Sequence, residues 1–280
     1  MSAPGGAVPR ALTVAGSDSG GGAGIQADLK TFAALGVYGI SALTAVTAQN
    51  TRGVRRVEEL SPAMVADQID AVLEDIGANA AKTGMLASAP IISAVAGRLR
   101  AHRLTMLVVD PVMVAKGGDR LLREDAVAAL RTELLPLALL VTPNIPEAEA
   151  LAGLAIDSTA ALEDAARRIA DLGPRYVLLK GGHLPGPRVV DRLWDAATGC
   201  FTEFSGDRVA TSSTHGTGCT LSAAIAAFLA LGRSVPVAVE AARGYTVEAI
   251  RRAQPLGSGY GPLHHLWILP GADQSGPLSD

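Results

Sequence analysis

The sequence predicts an α/β fold: a mainly parallel central sheet, helices on both faces and a small β-rich extension. Three observations carry that reading. Short apolar runs alternate with amphipathic segments of helical spacing, the pattern of repeated strand–helix units. The 280-residue chain is 49% hydrophobic but only 4% aromatic, and Ala, Gly, Val and Leu dominate, which suits close packing of helices on a sheet. The polar residues of interest cluster where predicted strands end, and open α/β sheets bind ligands beyond the carboxyl ends of their strands.

The elements follow in order. Residues 11–15 read as a strand, then a Gly-rich loop, then a helix over 23–35. Residues 39–47 are β-branched enough for a second strand, and 54–60 form a short third. Ser61-Pro62 starts a helix, with Ser as N-cap and Pro at the first helical position, running to Ile76. Residues 80–82 are a short strand, and Ser88 opens the next helix. Residues 105–110 and 137–142 are buried strands. Helices around Glu147 and over 158–172 lead to a strand at 175–180. A β-rich stretch covers 189–210, and helices over 217–231 and 234–253 close the fold.

No low-complexity linker and no internal repeat divide the chain. It reads as one domain over 11–270 with flexible tails at 1–10 and 271–280. The first ten residues lack the apolar core of a signal peptide, and no apolar run reaches membrane-spanning length. A net charge of -3 with no basic stripe argues against a nucleic-acid partner. The two cysteines, Cys200 and Cys219, form no CxxC or Cys/His cluster. That excludes a disulfide framework or zinc site and points to a reducing, cytoplasmic setting.

The strongest motif is Thr214-His215-Gly216-Thr217-Gly218-Cys219 ahead of an apolar helix. A helix N-terminus offers unpaired N–H groups and the positive end of the helix dipole, so an anion is its natural guest. The same position predicts a lowered thiol pKa for Cys219, against the plain alternative of a buried structural cysteine. Gly22-x-Gly24-x-x-Ala27 matches a dinucleotide fingerprint. However, Gln49 and Asn50 stand where that fold needs an acid for the ribose, so Asp18 in this loop reads as a substrate contact.

Gln49 donates and accepts at once, which suits the edge of a heteroaromatic ring, although local backbone bonding explains it equally well. Asp110, beside the Gly-rich stretch 115–118, suits metal or phosphate handling under a closing flap, with a turn-capping acid as its rival. Asn144 and Glu147 suit water around Mg²⁺ and also suit a helix cap. Lys180, before Gly181-Gly182, suits nucleotide phosphates as a point charge. No Walker A pattern exists. Cys200 reads as packing, His102 as a helix-end residue and His264-His265 as structural.

Seven stretches together resemble the hydroxymethylpyrimidine/phosphomethylpyrimidine kinase family of the ribokinase-like superfamily. They are AGSDSGGGAGIQADLKTF (15–32), TAVTAQNTRGV (44–54), AKTGML (81–86), DPVMVAKGGDRLL (110–122), VTPNIPEAEAL (141–151), LLKGGH (178–183) and STHGTGCTLSAAIAA (213–227). The resemblance implies an ATP- and Mg²⁺-dependent kinase, a homodimer, that phosphorylates hydroxymethylpyrimidine and then its monophosphate in thiamine biosynthesis. It places Gln49 on the aminopyrimidine, with Asp18, Gly16, Met85 and Val112 in the same pocket. Gly216, Thr217 and Gly218 become the anion hole, and Cys219 stands where most of the superfamily carries an aspartate base. Lys180, Asn144, Glu147, Thr214 and His215 fall to the nucleotide, and Asp110 and Glu147 to the metal. Some pyridoxal kinases share the scaffold but carry a second cysteine in the flap, where this chain has Ala115. That favours the pyrimidine and leaves a pyridoxal or pyridoxine kinase as the alternative, or a non-catalytic sensor of vitamer or nucleotide. The segment 259–265 matches the family's ending only loosely.

Overall fold

A computed structural model of the chain describes residues 7–113, 124–183 and 186–270. Nine strands form one sheet. They are β1 (Arg10–Asp18), β2 (Tyr38–Asn50), β3 (Gly53–Glu59), β4 (Ala80–Thr83), β5 (Leu107–Val109), β6 (Leu140–Val141), β7 (Tyr176–Leu179), β8 (Arg188–Asp195) and β9 (Cys200–Asp207). Their order is β3-β2-β1-β4-β5-β6-β7-β8-β9. From β2 to β7 all neighbours are parallel. The edges are antiparallel: β3 folds back on β2, and β8 and β9 extend the far side.

Eight helices cover the sheet among the described residues: α1 (Gly24–Ala34), α2 (Pro62–Asp75), α3 (Ala89–Ala101), α4 (Glu124–Ala129), α5 (Ile145–Ala152), α6 (Thr159–Ala170), α7 (Thr217–Ala230) and α8 (Val235–Arg251). One core holds Val65 and Ile69 of α2, Ile92 of α3, Leu151 of α5 and Ile169 of α6. The other holds Phe32 of α1, Ile225 of α7 and Val239 of α8. The central strands are buried on both faces and therefore read as continuous apolar runs.

Side chains alternate across each strand. Leu12, Val14 and Ala81 enter the α2–α6 core. Thr13 and Lys82, their alternates and partners in register across β1 and β4, turn to the opposite face. Helix α7 is buried nearly all round, and its Ala-rich surface lets it lie close over β1, β4 and β5.

Boundaries differ from the sequence reading in informative places. β1 begins at Arg10 because Arg10 pairs with Tyr38, so the last residue of the expected tail belongs to the sheet. Of the rest of both expected tails, residues 7–9 are described and 1–6 and 271–280 lie outside the described residues. No helix was expected between Asp110 and residue 137. The chain instead forms α4, a π-helical turn at Leu130–Leu134 and a 3-10 turn at Leu135–Leu137. Ala126, Leu130 and Leu134 bury one helical stripe there, a periodicity that the neighbouring Gly-rich stretch obscured. Ser61 caps α2 as expected, accepting the Met64 N–H. No described helix is long and apolar enough to cross a membrane.

Ile92 is fully buried in the larger core. Ile92→Ala is expected to lower unfolding stability by about 2–5 kcal/mol, read by urea denaturation.

Candidate active site

The polar residues singled out in the sequence meet at the carboxyl edge of the sheet, in two groups on either side of the α7 N-terminus. The first is organised by Asp18, at the end of β1. Its buried carboxylate accepts the N–H of Gly20 (2.8 Å), Gly22 (3.1 Å) and Ala23 (2.8 Å). His215 Nε2 lies 2.8 Å from its Oδ2. Burial pushes this carboxyl up, but the His215 bond and the Gly20 and Ala23 donors outweigh it and hold it below its ordinary value. These four donors take most of its acceptor capacity. Asp18, expected as a substrate contact, therefore shapes the Gly-rich loop.

Gln49, partly exposed at the end of β2, accepts from the Thr47 hydroxyl (3.2 Å) and brings its Nε2 within 3.4 Å of His215 Nε2. The ring of His215, a residue expected to border the nucleotide, joins Asp18 to Gln49. At Gly16 the β1–β2 register slips. A Cβ there would lie 2.4 Å from the Met85 methyl, so the glycine makes room for Met85. Val112 is partly exposed, and its N–H donates to the Asp110 carbonyl (2.9 Å).

The second group is charged. Lys180, just after β7, reaches Asp110 Oδ1 at 3.0 Å and Glu147 Oε2 at 3.7 Å. Asp110 Oδ1 also faces the Thr142 hydroxyl at 3.4 Å, and Oδ2 accepts from Ser222 of α7 at 3.2 Å. Burial opposes the Lys180 charge, yet Asp110 and Glu147 more than compensate and raise its pKa. Burial raises Glu147, with Lys180 acting against it. Asn144 and Glu147 form a reciprocal cap on α5: Asn144 Oδ1 accepts the Glu147 N–H, and Glu147 Oε2 accepts the Asn144 N–H. The capping role of this pair is thus present in the fold, and Glu147 still directs charge at Lys180.

Between the groups stands the start of α7. Gly216 adopts φ 82°, and a Cβ on it would lie 1.8 Å from the Gly22 carbonyl oxygen; the backbones of the two loops touch. The Thr217 hydroxyl ties back to the Thr214 carbonyl at 2.8 Å. Among the described residues, no acceptor takes the N–H of Gly218 or Cys219. A Cβ on Gly218 would sit 3.5 Å from Lys180 Nζ and 3.6 Å from Asp110 Oδ2. The Lys180 ammonium thus stands beside Gly218 at the mouth of α7, where two amides are free.

The expected lowering of the Cys219 pKa does not occur. Burial pushes the thiol up to about 11, with Asp28 and Asp110 adding to it, against Lys82 and the Gly24 N–H. Desolvation of a thiolate outweighs the helix terminus here. Cys200 was expected to pack, but it lies exposed at the mouth of the β8–β9 hairpin, with its Sγ 3.6 Å from the Thr198 carbonyl. His102 is the C-cap of α3 and meets Asp70 at 2.7 Å. Ala115 and the Gly-rich flap stretch lie outside the described residues.

The sequence reading missed a fully buried ion pair. Lys82 of β4 meets both carboxylate oxygens of Asp28 on α1, at 3.0 and 2.8 Å, and Thr13 donates to the same carboxylate at 2.7 Å. Its signal was present: a lysine in mid-strand among Ala80, Ala81 and Thr83. Also missed was the support from the C-terminal segment. The His215 N–H bonds the Gly261 carbonyl (3.0 Å), and His265 packs at 3.0 Å from the Thr220 hydroxyl.

Sequence and structure comparisons give the family and the fold. The family model described as phosphomethylpyrimidine kinase matches residues 18–264. The chain belongs to the phosphomethylpyrimidine kinase family. It is 51% identical to the hydroxymethylpyrimidine/phosphomethylpyrimidine kinase of Synechococcus elongatus, covering 94% of this chain and 99% of that one. It is 56% identical to the thiamine biosynthesis bifunctional protein ThiED of Geobacter sulfurreducens over 91% of its length, and it spans only 52% of that longer protein. Among solved structures, the ADP complex of Bacillus subtilis pyridoxal kinase superposes with a TM-score of 0.85 at 39% identity, over 92% of this chain and 98% of that one. The fold is ribokinase-like.

Two outcomes follow from the geometry. Gly216→Ala must push apart two backbones, so it is expected to lower the melting temperature and abolish ATP-dependent turnover; full retention of both would contradict the close approach. His265 is buried, and burial lowers its pKa to about 4. An unfolded histidine titrates near 6.5. Stability is therefore full above pH 6.5 and is lost as pH falls toward about 4, by roughly 3 kcal/mol. Urea midpoints measured between pH 7 and pH 4 should show this slope, and His265→Asn should flatten it.

Proposed function

We propose that the chain is an ATP-dependent kinase that phosphorylates 4-amino-5-hydroxymethyl-2-methylpyrimidine and then phosphorylates the monophosphate to the diphosphate, in thiamine biosynthesis. The observation that carries this reading is the mouth of α7, where the Gly218 and Cys219 amides are free and Lys180 stands beside Gly218. Phosphoryl transfer needs positioning and charge neutralisation more than covalent chemistry. Gly216, Thr217, Gly218 and Cys219 then hold the transferred phosphoryl group. Lys180 meets its oxygens as a fixed positive charge.

In the same reading Gln49, Gly16, Met85 and Val112 line the pyrimidine pocket. Asp18 and His215 hold Gln49 and the Gly-rich loop in place. Asn144, Glu147 and Thr214 border the nucleotide. Mg²⁺ fits the donor set, since a hard cation prefers oxygen ligands and Asp110 and Glu147 are buried carboxylates facing one lysine. These two acids would hold it, directly or through water, and the ion would supply charge neutralisation for the phosphate oxygens. The likeness to the family also supports a homodimer, which light scattering of the purified chain tests.

Two successive transfers require the first product's phosphate to sit where the hydroxyl sat. A thiol that stays neutral to about pH 11 repels that phosphate less than a carboxylate would, which accounts for cysteine at position 219. The likeness to a pyridoxal kinase fold favours a second reading, phosphorylation of a pyridoxine-type ring. The higher identity to the pyrimidine kinases and the Ala115 position place it second.

The deciding experiment is an ATP-coupled assay over hydroxymethylpyrimidine, its monophosphate, pyridoxal and pyridoxine, with products resolved by mass. Turnover of both pyrimidines is expected; no turnover of any of the four compounds would leave only a non-catalytic sensor. Cys219→Asp should lose the second transfer more than the first, and equal loss of both would sink the charge argument. Lys180→Met should cut kcat by at least about a hundredfold.

A further inference from the structure

Residues 257–262 join the Gln49 end of the site to the start of α7. Upstream they lie on the β2–β3 turn that follows Gln49. The Gly259 N–H donates to the Thr51 hydroxyl at 3.3 Å, and the Tyr260 N–H donates to the Thr51 carbonyl at 2.8 Å. Arg52 Nε donates to the Ser258 hydroxyl at 2.6 Å. Downstream the Gly261 carbonyl accepts the His215 N–H at 3.0 Å, and Pro262 pairs with His215 in an isolated parallel bridge. Pro262 also closes on the first βα loop: a Cβ on Gly22 would lie 2.9 Å from the Pro262 Cβ.

These contacts need a backbone without side chains. A Cβ on Gly259 would collide with the Thr51 carbonyl oxygen, one on Gly257 would collide with the Thr51 hydroxyl, and one on Gly261 would lie 2.8 Å from the Ser213 Oγ. Alternate glycines thus let the segment press on both loops at once. Its far end is rooted in the body of the protein. The His264 N–H donates to the Ala249 carbonyl at 3.0 Å, and the Tyr245 hydroxyl of α8 donates to the His265 carbonyl at 2.6 Å. The β2–β3 hairpin is less well supported, since Arg55, Arg56, Val57 and Glu58 of β3 are exposed. Ser19 braces the Gln49 backbone from the Gly-rich loop, at 2.7 and 2.8 Å; residues 257–262 brace the turn beyond it.

We propose that residues 257–262 are a strap that holds the Gln49 hairpin against the start of α7, with Thr51 as its clasp and as a positioning residue for the acceptor. This rests on the kinase reading, in which Gln49 meets the acceptor ring and the α7 amides meet the phosphoryl group. The strap then sets the span between ring and phosphoryl group. A hairpin ordered before binding spares the acceptor the entropy of ordering it, so the strap raises acceptor affinity. The nucleotide side stands on other supports: Asp110, Asn144, Glu147 and Lys180 follow β5, β6 and β7. Loosening the strap therefore weakens the acceptor and spares ATP.

The test has two arms. Thr51→Val keeps the side-chain shape and removes the hydroxyl, Thr51→Ser keeps the hydroxyl, and Gly259→Ala drives a methyl into the Thr51 carbonyl. In the first arm, without substrate, amide hydrogen exchange is followed by mass spectrometry. The peptide over 49–54 should exchange faster in Thr51→Val and Gly259→Ala than in wild type, and at the wild-type rate in Thr51→Ser. In the second arm KM is measured for hydroxymethylpyrimidine and for ATP. Thr51→Val should raise the acceptor KM about fivefold, the effect of one ordinary hydrogen bond, and Gly259→Ala should raise it further. KM for ATP should stay within about twofold, and Thr51→Ser should keep the wild-type acceptor KM. Partial unfolding alone would lower kcat with both KM values unchanged. The proposal is overturned by unchanged exchange over 49–54 in both disrupted variants, by an acceptor KM that does not move, by equal rises in both KM values, or by Thr51→Ser behaving as Thr51→Val. Faster exchange in the variants of a chain whose wild type phosphorylates no pyrimidine would sink the kinase reading, and the acceptor role with it, while leaving the clasp in place.

Discussion

Where the first βα loop meets the start of α7, the Gly22 and Gly216 backbones come together with no room for a side chain. Much of the site hangs on that contact. It holds the His215 ring against Asp18 and sets the first turn of α7 beside Lys180 and Asp110. Asp18 reinforces it by taking three N–H groups from the loop. A helix terminus binds an anion only if its N–H groups stay unpaired and point at one place. Here the loops, not a capping side chain, keep them so: α7 starts from glycine with no side-chain cap.

Charge is arranged around this terminus in two layers. Near the surface Lys180, Asp110 and Glu147 form one network of buried or half-buried groups. Beneath α7 the Lys82–Asp28 pair is wholly removed from water. Removing one partner of such a pair costs about 3–5 kcal/mol, whereas an apolar replacement of both is often neutral. A chain that needed only stability at this place had apolar side chains to use.

Much of the fold was legible in the sequence. Apolar runs at 11–15 and 107–109 mark strands buried on both faces, and Ser61-Pro62 marks a helix start, because both signals are local. The α4 and π-helical region escaped because its buried stripe is short and follows a Gly-rich stretch. The site residues were found by their place after strands, since sheet geometry collects strand ends at one edge. Lys82 and Asp28 were passed over because neither follows a strand; their meaning lies in a contact 54 residues apart in sequence.

The sequence alone determined the α/β class, the helix start at 217 behind its Gly-rich turn and the family to which the chain belongs. Each rests on local spacing or on strings of residues that survive as strings. Tertiary structure alone decided the upward shift of the Cys219 thiol, the company of His215 and the hydrogen-bond partners of Asp18. A pKa or a hydrogen bond depends on which distant groups are near and how much water is excluded. For Cys219 burial outweighed the helix terminus, and for His215 the Gly-rich loop 197 residues away along the chain supplied the partner.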